Sequence, residues 1–559
     1  MGGVLFLALL FVAKAQNQRT SELASARARQ KAALRPNLGA EKAAVGHDLL
    51  PAVPVNARIE LSNHRVYNAE AAIPPQCYTK TEGRHNPCYT CHQVYDRRLR
   101  DRLNQLDDGG LQGSYTFSEV GVENHWTNLF VDRRKWVESI SDGAIQTYVA
   151  QENFSTLDER LKARGWDGYI PDLKDYHLGA SAFDERGLAR DGSAWVAFNY
   201  KPFPGTFWPT NGSTDDVVMR LPPEFRTLNG AFHRDTYYVN LSLVELTLKG
   251  LSQLTLWDVD ERNLGVDLNG DGKMAVTSEI VLRDHYVGDA QHVAVDFEQF
   301  PAGSELLHSV RYLGLDAAER VVIPPRMKEL RYMKKVAVLS REVLRSRFDG
   351  ERKEKRLGEL PAYVARGDQG LDNALGWYVK GFIEDYEGDL RPQTLEEDMY
   401  CMGCHKAIST TIDSTFSLPR KVPGGAGWGY IDLVGMKDTP NIGEAGGEIL
   451  NYLRRVGGGS EFRANPEMQE LWFDERGNVR EAAVKAADVM TLTFPSAERA
   501  RILNKAYTQI VRHQSYRLGR DASIDVSDNV FAAVEEHAEP LRAEHRRFGW
   551  DLRLDWPTD

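Results

Sequence analysis

Apolar positions along this chain change their period several times. From Val4 to Ala13 they run unbroken for ten residues, too short to span a bilayer comfortably but suited to the core of an export signal. Ala13-Lys14-Ala15 then offers the small residues a signal peptidase prefers, although Met1-Gly2-Gly3 lacks the usual basic residue. Residues 16–55 carry Ala, Arg, Gln and Glu with no apolar stripe, the pattern of a flexible linker. Ala57 to Val66 predicts a short strand. The prolines Pro74-Pro75 and Pro87 predict loop, with a helix starting near Cys88.

Between about 115 and 320, Gly, Pro, Asp and aromatic residues punctuate short runs such as SAWVAFNY, TYYVNLSLVELTL and HVAVDFEQF. Alternation and β-branched or aromatic enrichment predict strands there, mixed with short helices. Beyond Pro324-Pro325, RMKELRYMKKVAVLSREVLRSRF has apolar residues at three- and four-residue spacing, which predicts helix. AAVKAADVM, ERARILNKAYTQIVRHQSYRL and NVFAAVEEHAEPLRAEHRRF also read as helical. The expected fold class is α+β multidomain, with mostly helical regions at both ends around a mixed, strand-containing middle. In residue terms, a signal peptide over 1–15 and a linker over 16–55 precede a first region over 56–130. A β-rich middle domain over 131–325 and a helical domain over 326–559 follow. A chain of 559 residues is too long for one hydrophobic core, in keeping with several domains.

Charge narrows the partners. A net −11 argues against nucleic acid, which demands a basic surface. Cysteine usage is more specific. Four of the five cysteines fall in Cys88-Tyr89-Thr90-Cys91-His92 and Cys401-Met402-Gly403-Cys404-His405. Both are C-x-x-C-H, the attachment pattern of c-type haem. Two thiols one helical turn apart can each add across one vinyl group of a haem edge, and the adjoining imidazole can then ligate the iron. A zinc pair or a redox C-x-x-C is the plainer alternative for either motif alone.

On these six residues the chain resembles c-type cytochromes carrying two haems. A narrower likeness is to the di-haem cytochrome c peroxidase and methylamine-utilisation enzymes, from which it departs in the long interval between Cys91 and Cys401. The resemblance implies thioether anchors at Cys88, Cys91, Cys401 and Cys404, proximal iron ligands at His92 and His405, and haem attachment outside the cytoplasm. The expected location is therefore periplasmic or extracellular, with no stable transmembrane anchor after signal cleavage.

Each iron also has a second face. Met436 lies 31 positions after His405, on a downstream loop as in small c-type cytochromes, and is a candidate distal ligand. His513, His537 and His545 compete for that haem, and His64, His85 and His125 are candidates for the first. Any one of these side chains is more often structural than ligating. Cys77 is left without an intramolecular partner and reads as a buried inert thiol, a tether or a reactive thiol. Asp267, Asn269 and Asp271, followed by Gly272, match the front of an acidic calcium loop, but Ser278 stands where a closing glutamate belongs and Glu279 is one residue late. Asp258 and Asp260 could add oxygens; a solvated Asx–Gly turn is the alternative. The basic stretch Arg326 to Arg356 reads as a solvated helix face or as a docking surface for an acidic redox partner.

The function these features predict is an exported di-haem electron carrier that exchanges electrons with a partner protein or a small donor or acceptor. Its cofactors would be two c-type haems, with Ca2+ as a possible third. One alternative is a peroxidase or oxidase in which one haem keeps an open coordination site. Another is a ligand-binding middle domain in which Trp195, Trp208, Trp257, Trp428 and Tyr430 line a pocket.

Overall fold

The computed structural model describes residues 50–51, 66–94, 106–205, 208–359, 363–406 and 408–557. The signal peptide, almost all of the linker, nearly all of the strand expected at 57–66, and His64 lie outside them.

An eight-stranded, wholly antiparallel sheet organises the molecule. Its strands are β1 (Val196–Ala197), β2 (Thr214–Arg220), β3 (Glu305–Arg311), β4 (Met327–Lys335), β5 (Val364–Ala365), β6 (Leu371–Asp372), β7 (Trp377–Glu384) and β8 (Leu390–Pro392). They lie in the order β1-β2-β3-β4-β7-β6-β5, with β8 also paired to β7. Side-chain alternation gives the sheet two different faces. Val218, Leu307, Leu330 and Phe382 point into one apolar core with Trp195 and Leu161. On the other face Asp215, Val217, Leu306, His308, Arg331, Met333 and Val379 line a cavity.

Seven helices bear on the argument: α1 (Asp142–Ala150), α2 (Arg234–Lys249), α3 (Arg341–Arg356), α4 (Leu395–Met399), α5 (Met402–His405), α6 (Glu448–Val456) and α7 (Ala497–His513). Helix α2 occupies a run that its aromatic and β-branched content marks as strand. His233 caps its start by accepting from the Thr236 amide, and Gly250 ends it at φ 64°. Almost every residue between is buried, so the helix is apolar all round and shows no amphipathic period.

The reverse error occurs at β4. Met327–Lys335 carries a helix-like spacing but sits between β3 and β7, paired residue by residue with both, and is buried on nearly every side. The basic band beginning at Arg326 is therefore neither a solvated helix face nor a docking surface over its first half. Arg326 pairs with Glu384, Arg331 with Glu329 and Lys335 with Asp413, all buried. Tertiary pairing overrode local pattern at both places.

The expected helical haem regions at the two ends are also corrected, and with them the fold class. Around the first motif the chain forms short 3-10 turns at Pro75–Tyr78, Pro87–Thr90 and Gly109–Leu111 rather than a helical domain. Residues 529–548, read as helical, form irregular backbone with one 3-10 turn at Ala543–His545. That segment folds back over the first motif. The Phe531 amide donates to the Tyr78 carbonyl at 2.8 Å, Leu541 to Gly113 at 3.2 Å and Arg542 to Gly83 at 3.0 Å. The chain ends thus complete a mixed α/β body built on the sheet.

Candidate functional site: two adjoining cavities at the cysteine pairs

Each C-x-x-C-H sequence forms one helical turn. In the first, the Asn86 side chain caps the turn by accepting from the Tyr89 amide, and the His92 amide donates to the Cys88 carbonyl at 2.9 Å. In the second, the His405 amide donates to the Cys401 carbonyl at 2.8 Å. Helix α4 leads directly into it, started by a capping box between Thr394 and Glu397. Glu397 also accepts from Arg391 of β8, and Asp398 from Lys380 of β7 at 2.5 Å. The second motif is thereby fastened to the sheet by charged hydrogen bonds that leave little freedom of position. Gly403 makes close packing possible: a Cβ there would lie 2.6 Å from the Ala72 carbonyl oxygen, so the second motif rests on backbone leading to the first.

Two large cavities open at these turns. One, of about 1500 Å3 counting its open mouth, is lined by Cys91, Cys401, Cys404 and His405 on one side and by the polar side of the sheet on the other. The other, of about 1060 Å3 on the same measure, is lined by Cys77, Cys88, Cys91, His92, Tyr115 and Phe117. Cys91, Pro74, Gln76, Pro87 and Ile408 line both, so the cavities share a wall. Two motifs distant in sequence meet there.

Both histidines are held through Nδ1. That of His92 lies 2.9 Å from Asp108, and that of His405 lies 3.0 Å from the Ser414 carbonyl oxygen. An acceptor at Nδ1 fixes the tautomer that leaves Nε2 as the coordinating nitrogen. Burial would raise the Asp108 carboxyl, but His92 and Lys355 beside it hold it at about 2. Asp108 also accepts from the Ser409 hydroxyl at 2.5 Å, and that hydroxyl in turn accepts from the Gln93 amide at 2.8 Å. Burial, with Arg331 and His308 nearby, lowers His405 to about 4 despite the Ser414 carbonyl, so its imidazole is neutral at ordinary pH. Burial raises all four motif thiols, Cys404 to about 11. They are neutral S–H groups, unlike the lowered thiols of reactive C-x-x-C pairs. Cys77 is likewise pushed up to about 12 by burial, an inert character at the edge of the first cavity.

Other sequence candidates lie elsewhere. Met436 is buried in the main core, its carbonyl accepting from Val489 at 2.8 Å, and does not line the cavity of His405. His85 packs against Gly457 and Glu82, His125 against Tyr67, and His513 against Trp136. His537 is exposed, and the His545 carbonyl accepts from Asn86. Of the aromatic candidates, only Trp208 borders a cysteine cavity. Conversely, His308 and Met333 face the second motif from the sheet. They were missed because nothing in ELLHSVR or RYMKK separates them from core positions.

The calcium expectation is corrected. Asp267 spends its two oxygens on the Gly270 and Gly272 amides, and Asn269 and Asp271 accept from the amides two residues on. Glu261 closes the loop, accepting from Leu268 at 2.7 Å and Ala275 at 2.9 Å. Asp260 caps the Glu261–Leu264 turn and pairs with Arg262. This is the Asx–Gly turn. Among the described residues no group of three or more His, Cys, Asp or Glu side chains is placed to hold a metal ion.

Comparison with known proteins changes the family reading. A lipoprotein family model matches residues 61–491, which include both motifs. An uncharacterized lipoprotein of Aquifex aeolicus is 31% identical over 522 residues, covering 83% of this chain and 87% of its own length. No solved structure matches. The resemblance to two-haem cytochromes and to the di-haem peroxidase and methylamine-utilisation group is corrected accordingly: neither match is to a cytochrome c family, and neither carries haem or iron in its description.

Proposed function

The chain belongs to this lipoprotein family of exported proteins, and we propose that within it this protein moves single electrons through two haems attached at Cys88/Cys91 and Cys401/Cys404. One observation carries the reading. Each motif histidine is fixed through Nδ1 at the wall of a large cavity that also holds its cysteine pair, and the two cavities adjoin at Cys91.

The residues fit such a group. A porphyrin supplies four nitrogens of its own, so the protein needs one or two ligands per iron rather than a cluster of three. Neutral buried thiols suit addition across a vinyl group, because the resulting thioether is uncharged and apolar and costs little to bury. Phe198, Phe203, Trp208 and Phe416 give the second cavity apolar walls; Phe117 and Leu111 do so for the first. When bound, the group would supply reversible one-electron iron chemistry, tuned by ligands, burial and hydrogen bonding. The protein's part is to hold His92 and His405 in one tautomer, keep His405 neutral and exclude water. Among the described residues no helix is long and apolar enough to cross a membrane. Exchange with a soluble or surface-bound redox partner in the periplasm or outside the cell completes the proposal.

The test is a pigment count on full-length protein exported from a host that attaches haem. Two acid-acetone-resistant haems per chain are expected by pyridine haemochrome. Replacing Cys88 and Cys91 with Ala, or Cys401 and Cys404 with Ala, should remove one each. Colourless protein, or pigment that washes out of the unaltered chain, would overturn the reading.

A further inference from the structure

Haem iron takes its protein ligands from His, Met, Cys and Tyr side chains. Apart from the second motif's own residues, the second cavity offers Cys91, Tyr200, His308, Met333 and Tyr400. All but one are committed elsewhere. Cys91 belongs to the first motif. The Tyr200 hydroxyl donates to Asp215 at 2.8 Å, and the Tyr400 ring packs edge-on against Trp126 at 5.5 Å. Burial raises both phenols well above their ordinary range, so neither supplies a phenolate. His308 has its Nε2 3.2 Å from Asp215 Oδ2, a contact it would have to give up to ligate through that nitrogen.

Met333 is the exception. A thioether carries no proton and is only a weak hydrogen-bond acceptor, so turning its sulfur to iron forfeits no polar contact of consequence. The residue stands on β4, which is paired along both edges, to β3 and to β7. Its neighbours across the ladders are Leu306 and Val379, and all three line the cavity. At 6% exposure the side chain lies in an apolar patch of the sheet that faces the second motif. A ligand carried by a central strand is also held more precisely than one on a loop. Met436, by contrast, lies in the main core away from this cavity.

We infer that Met333 is the second protein ligand of the iron held by His405, its sulfur completing the coordination at the Cys401/Cys404 site. This rests on the haem reading above. A soft, uncharged thioether favours reduced iron and raises its potential relative to paired imidazoles. The second site is then filled and suited to accepting electrons, not open to small molecules.

The test uses full-length pigmented protein with isotope-labelled methionine methyl groups. In the reduced state, a methyl on iron-bound sulfur lies against the porphyrin ring and resonates far upfield of the others. Of the ten methionines, Met333 should give such a signal. Met333→Leu, close in volume, should lose it, together with the weak red absorption of the oxidised iron–thioether bond. One midpoint potential should fall while the other holds, with both haems still attached. If the leucine variant loses pigment, Met333→His is read instead: it should keep both haems, without the upfield methyl and at a lower potential. An unaltered protein with no upfield methyl would overturn the inference, as would an upfield set that Met333→Leu leaves unchanged. Loss of the low-spin spectrum in His308→Gln but not in Met333→Leu would also overturn it, making His308 the ligand. An unaltered chain without attached pigment would sink the haem reading and this inference with it, and the pigment count tells that failure from the others.

Discussion

Asp108 shows how much can rest on one carboxylate. It takes the Nδ1 contact of His92 and the Ser409 hydroxyl, while Lys355 lies 3.3 Å away. Ser409 follows the second motif, so Asp108 ties the two motifs together. An ionised carboxylate at Nδ1 makes the imidazole a stronger electron donor. On the proposed haem reading, Asp108→Asn should therefore leave both haems attached but raise the midpoint potential of the first, as read by redox titration, while the second shifts less. Equal shifts at both would mean that Asp108 acts only through the fold. None of this was legible in the sequence. The motifs announce their histidines, but the partner of His92 sits 16 positions further along in an undistinguished LDDGG, and that of His405 is a backbone carbonyl that no side-chain pattern encodes.

At the level of elements, the second motif is pinned from two sides. The capping box and the Glu397 and Asp398 bonds set α4 on the sheet, and Gly403 lets α5 rest on residue 72. Gly403→Ala forces a methyl group against a backbone oxygen 2.6 Å away. It should cost about 1–3 kcal/mol of stability, measured by denaturant unfolding, and lower haem occupancy at the second motif before the first. Legibility at this scale followed burial. Helix α7 was readable because one side stays wet and its apolar period survives. Helix α2 and strand β4 were not, because elements buried all round lose the alternation that distinguishes them. Of the two, β4 borders the second cavity, through Arg331 and Met333.

Across the whole molecule, the two ends of the described fold pack against each other. Asn86 donates to the His545 carbonyl at 2.8 Å, Val94 to that of Phe548 at 3.2 Å, and the Trp550 indole to that of Tyr89 at 3.1 Å. Removing residues 541–559 should therefore strip cover from the first cavity. The shortened protein is expected to keep its second haem and to lose or loosen the first, visible as a halved pigment yield or a newly high-spin iron. An unchanged spectrum and haem count would show that the C-terminal segment is dispensable to the site.

That closing segment also imposes an order in time. In chain order the first motif precedes the segment that covers it, residues 529–550. Until it docks, Cys88 and Cys91 belong to an unfinished, open surface. The earlier of the two motifs is thus the later one to be sealed, and on the proposed haem reading that delay would leave its thiols open to attachment.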